Sequence, residues 1–82
     1  MKQNRHNMDT VAYAETLINS KHDIVTMTGR DAAGLKIGLK KAPQIIREAI
    51  EDYEASLQEQ TSPAIVEYIK AQIERLKEVL NG

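Results

Sequence analysis

The chain has no cysteine, no tryptophan and no phenylalanine, and only two prolines and four glycines in 82 residues. Without cysteine there is neither a disulfide framework nor a thiolate metal site, a composition that suits a reducing compartment. Three tyrosines are the whole aromatic content. The core must then be made from Ile, Leu, Val, Ala and Met, the usual filling of packed helices. No apolar run approaches the roughly 18 to 20 residues of a membrane span, and the polar, basic residues 1–7 are not followed by the apolar stretch of a signal peptide. The expectation is a cytoplasmic chain. Its length allows one domain, 1–82, near the size at which a single core supplies only a few kcal/mol of stability and self-association helps.

Catalytic chemistry is equally scarce. The bases in the neutral range are His6, in the N-terminal lead, and His22, expected at the C-terminal end of the first helix, where the dipole favours a cation. Ser20, Ser56 and Ser62 have no nucleophile motif around them, so a triad is not expected. Di-metal helical bundles need inward-facing Glu-x-x-His pairs, and residues 43–80 contain no histidine. EF-hand, zinc and phosphate-loop patterns are absent too. The reading is non-enzymatic, with no cofactor and no metal.

What is present is periodicity. Leu35, Leu39, Ala42, Ile46, Ala49, Tyr53 and Leu57 recur at the three- and four-residue steps of one apolar stripe on an α-helix. Ahead of it, residues 1–8 lack periodicity and read as a disordered lead. A short helix over residues 10–20 follows, capped by Asp9 or Thr10, with Val11, Ala14, Leu17 and Ile18 on one face. Residues 22–28 carry β-branched Ile24, Val25, Thr26 and Thr28 and read as an extended connector. Thr28 and Asp31 have the spacing of a capping box for the long helix.

Pro43 interrupts this helix, because it lacks the amide that would bond the Leu39 carbonyl and clashes with it. The expectation is a kink there, or a stop and restart. A competing pattern exists: Leu35, Ile37 and Leu39 alternate with Lys36 and Gly38, which allows a small β-hairpin over residues 24–39. The stripe continuing in phase to Leu57 favours the helix. Ser62 and Pro63 then have the form of an N-cap and first helical residue, opening a last helix with Val66, Ile69, Ile73, Leu76 and Leu80 on one face. A short loop makes this helix the antiparallel neighbour of the one before it. The fold class is all-α: a short N-terminal helix and a long central helix that forms a hairpin, residues 43–80, with the C-terminal helix. Because the last helix reaches back only to Pro43, the N-terminal helix is expected to cover residues 35–42, end to end with the hairpin, leaving apolar surface over.

Net charge is −1, and its distribution says more than its sum. Residues 28–47 carry +4 and residues 48–82 carry −5. Thr28, Gly29, Arg30, Lys36, Lys40 and Lys41 bring hydroxyl, amide and cationic donors together near a helix start, the candidate site for an anion such as a nucleotide phosphate. The bland reading is a solvated basic face, with Gly34 and Gly38, one turn apart, allowing close helix contact. Duplex binding is disfavoured by the few cations and the lack of a helix-turn-helix. Two functional classes remain: a homo-oligomeric binding or inhibitor protein acting on another protein, and an oligomer that sequesters a phosphate-bearing small molecule.

Overall fold

The computed structural model describes residues 6–81, and within them the chain is four helices and no strand: α1 Met8–Asn19, α2 Lys21–Thr26, α3 Arg30–Glu59 and α4 Pro63–Asn81. The all-α class with a central and C-terminal helix in contact is what the periodicity predicts, and the β-hairpin over 24–39 is excluded. Residues 1–5 of the proposed disordered lead lie outside the described residues. The lead is shorter than expected, since α1 begins at Met8 and His6 is already tied to the fold.

Two local expectations are overturned. Asn7, not Asp9 or Thr10, caps α1, its Oδ1 accepting from the Thr10 amide at 2.7 Å. The supposed connector is the helix α2, which also places His22 in a first turn rather than at the end of α1. Ser20 makes the switch: its amide donates to the Thr16 carbonyl to end α1, and its carbonyl accepts from Ile24 at 3.0 Å to start α2. β-Branched residues tolerate this short helix because Thr26 bonds its hydroxyl back to the Asp23 carbonyl at 2.9 Å, and because one turn of helix carries Ile24 into the core, where it is buried. Tertiary burial outweighs a strand preference that is itself weak and context-dependent.

The capping box is also corrected. Gly29 is the N-cap of α3, with φ 101° and ψ −179°, and no side chain caps that end. The chain comes out of α2 extended at Met27 and enters α3 through a backbone conformation that only glycine adopts readily. This sets the helix start one residue beyond the position where Thr28 would cap it.

α3 is 30 residues long and passes through Pro43 without stopping, so the stop-and-restart alternative does not apply. At about 1.5 Å per residue it runs nearly 45 Å, close to the 49 Å long axis of the molecule. Ala42, Ile46, Ala49 and Ile50 are buried along it, with Leu35, Leu39, Tyr53 and Leu57 packed at the margins. α4 contributes Ile69, Ile73 and Leu76, and α1 contributes Ala14 and Leu17 to the same core. Ile46 and Leu76 are its largest fully buried side chains.

The end-to-end arrangement is replaced by a side-by-side one. α1 runs antiparallel to α3, with Leu17 against the backbone at Gly38 and His6 at Glu48, its Nε2 2.6 Å from Glu48 Oε1. It also touches α4, where Arg75 Nη1 donates to the Glu15 carboxylate at 2.5 Å. Over its middle α3 therefore has two helices on it, and exposed apolar side chains remain on α1 and α4, Met8, Tyr13, Ile65 and Tyr68, and on α2, the turn after it and early α3, Val25, Met27 and Ile37.

Candidate functional site

Beside Leu80 and Asn81 the stripe of α3 is only partly covered, with Leu39 and Pro43 half-buried. Ile18 and Lys21 from the α1/α2 corner, Leu39, Lys40, Pro43 and Arg47 from α3, and Leu80 and Asn81 from α4 line a half-open groove of about 610 Å³. The periodicity of α3 explains its own share: Leu39 and Pro43 are four residues apart, and Lys40, Pro43 and Arg47 follow at three and four, so all face the same side. Ile18, Leu39, Pro43 and Leu80 give the groove an apolar floor. Lys21, Lys40 and Arg47 give it a cationic rim, and no carboxylate of the described residues lines it.

A second, smaller hollow of about 110 Å³ lies on the seam between α1 and α4, lined by Met8, Val11, Ala12, Glu15, Tyr53 and Arg75. The Tyr53 phenol sits above the ordinary tyrosine pKa of 10.0, chiefly because burial disfavours its anion and next because Tyr68 is close; Arg75 opposes the shift and Glu15 adds to it. Tyr53, Tyr68, Glu15 and Arg75 thus form one cluster. Gln72 joins it, its Oε1 accepting from Arg75 Nη2 at 2.6 Å. Met8 and Tyr68 are each more than half exposed, and Ile65, one turn from Tyr68, is 45% exposed.

No family model, curated protein or solved structure matches this chain.

Of the six residues proposed from sequence as an anion site, the groove takes in only Lys40. Thr28, Gly29 and Arg30 are exposed at the start of α3, and Arg30 lies about 15 Å along the helix axis from Lys40. Lys36 is one turn before Lys40 on the same side, while Lys41 is turned about a quarter of the circumference away. Lys21 and Arg47 are the groove cations outside that set. Arg47 had a signal, since it stands at helical spacing from Lys40 and Pro43. Lys21 had none, because only the fold brings the α1/α2 corner beside α3. Among the described residues no three His, Asp or Glu side chains are grouped to hold a metal ion, and no helix is long and apolar enough to cross a membrane.

Proposed function

We propose that this chain is a non-enzymatic helical binding protein that pairs with a second copy of itself through the α1/α4 seam and, in that form, blocks or bridges a protein partner. The observation that carries the reading is the connected run of Met8, Tyr53, Tyr68 and Ile65, exposed or half-buried beside the Glu15–Arg75 ion pair. Tyrosine, methionine and arginine are the residue types enriched in protein interfaces. Tyrosine adds large contact area at little entropic cost, since it has only two side-chain torsions to fix.

Size supports the same reading. A body of 49 × 22 × 15 Å is too thin to enclose a large core, and an isologous pairing across the seam lets each copy cover the other's apolar run. The opposite end exposes Val25, Met27 and Ile37, leaving a separate surface for a different protein.

Sedimentation equilibrium between 1 and 100 micromolar tests it, with Ile65→Glu/Tyr68→Glu as the variant. Both positions are exposed, so the variant keeps its fold, and the expected result is a dimer that becomes a monomer. A parent chain that is monomeric throughout this range, together with no protein captured by it from its native host, would overturn the reading.

A further inference from the structure

We propose that the groove at the end of α4 binds a single-chain amphiphilic anion, with the acyl chain on Ile18, Leu39, Pro43 and Leu80 and the acidic headgroup on Lys21, Lys40 and Arg47. The groove's volume, about 610 Å³, falls within the roughly 300–1,000 Å³ of small-molecule sites, which combine an apolar lining with a few placed polar groups. The charged groups here are all of one sign: three cations from two elements and no carboxylate among the described residues. Arg47 offers a planar fork that matches a carboxylate or phosphate, and the two lysines supply mobile point charges.

Polarity across the groove fixes the orientation. Lys21, Lys40 and Arg47 stand on α2 and α3, whereas the α4 side, Leu80 and Asn81, brings no charge among the described residues. An anionic head is drawn to the α3 and α2 wall, leaving the acyl chain over Leu80. A bare phosphate would leave the four apolar side chains uncovered, and a nucleotide would find no aromatic face in the groove on which to stack its base. A partner helix fits less well, because helix-in-groove docking uses anchors over several turns. The apolar floor contributes only Leu39 and Pro43 from α3 before walls from α1/α2 and α4 close it.

The test uses the full chain, nitrogen-15 labelled, titrated with dodecanoate below its micelle concentration. Parallel titrations use dodecyltrimethylammonium, inorganic phosphate and adenosine triphosphate. Dodecanoate is expected to shift the amides of Lys21, Leu39, Lys40, Arg47 and Leu80. Its affinity should fall at least tenfold in Lys40→Gln/Arg47→Gln and stay unchanged in Lys70→Gln, which lies outside the groove. Any of three results overturns the proposal: equal binding of the cationic amphiphile, equal shifts from phosphate or the nucleotide, or dodecanoate shifts confined to Met8, Tyr53 and Tyr68.

Circular dichroism of the double variant confirms that it is folded. Should it not be, Lys40→Met alone, which keeps the length of the side chain and removes its charge, replaces it with the same expectation of weakened binding. The inference does not depend on self-association. Ile65 is about 22 Å along α4 from Leu80, so the Ile65→Glu/Tyr68→Glu variant should bind dodecanoate as the parent does.

Discussion

Leu17 reaches from α1 to the backbone of α3 at Gly38, its Cδ1 3.0 Å from where a Cβ on residue 38 would stand. Gly34, one turn earlier, has nothing within 4 Å of that position, and Gly29 has open space but a positive φ. Three glycines in ten residues therefore serve three different ends, and replacing each by alanine should separate them. Gly34→Ala is expected to stabilise by about 1 kcal/mol, the ordinary helix preference of alanine over glycine. Gly29→Ala should destabilise by about 1–3 kcal/mol through backbone strain. Gly38→Ala gains the same preference as Gly34→Ala but must displace the tip of a buried leucine, so it should fall short of Gly34→Ala by about 1 kcal/mol or more. Urea denaturation of the three variants checks the order.

Burial predicts a second contrast. Leu76 is fully buried and Ile65 is 45% exposed, although both are aliphatic residues of α4. Leu76→Ala is expected to cost about 2–5 kcal/mol, transfer and cavity together, which in a domain of this size takes most of the stability. With both proteins dilute enough to be monomeric, Ile65→Ala should stay within about 0.5 kcal/mol of the parent. Thermal melts monitored at 222 nm read both, at a protein concentration where association is constant.

The Glu15–Arg75 pair joins helices 60 residues apart in sequence, yet half of the Arg75 side chain is in solvent. A double-mutant cycle with Glu15→Gln and Arg75→Gln should therefore return a coupling below about 1 kcal/mol. It should shrink further between 0.05 and 0.5 M salt as the charges are screened. A coupling that does not respond to salt would mean that the contact is held by packing rather than charge.

Alkaline pH should loosen the seam through Tyr53. Its pKa in the fold is raised above 10.0, first by burial and next by Tyr68, so the folded state holds the phenol proton more tightly than the unfolded chain does. The stabilisation is fully present below about pH 10, where the unfolded phenol titrates, and is lost as pH rises through the folded value. The melting temperature should fall over that window, and Tyr53→Phe should flatten the fall. Absorbance titration near 295 nm should show a late-ionising component that the same substitution removes.

Sequence alone determined the helices that have long, in-phase stripes. Leu35 to Leu57 and Val66 to Leu80 each repeat an apolar residue at helical steps over several turns, and Pro63 marks where the second begins, so α3 and α4 were legible down to their buried face. α2 was not, because one turn is too short for a period and Thr26 and Val25 favour a strand in isolation. Nor was the α3 cap: Thr28 has the right chemistry one residue too early, and Gly29 takes the position because the turn needs a positive φ.

The basic segment of residues 28–47 was visible as composition, but composition does not say which cations converge. Only the tertiary structure decided that, by laying α1 alongside both α3 and α4 rather than end to end with α4. This shift puts Lys21 in one groove with Lys40 and Arg47 beside Leu80, and it carries Glu15 to Arg75 and His6 to Glu48. The physical reason is that helical periodicity fixes the direction each side chain faces about its own axis, whereas the slide of one helix along another is set by close packing between particular residues. Here that packing is Leu17 against the bare backbone of Gly38, a contact between residues 21 apart that no local pattern encodes.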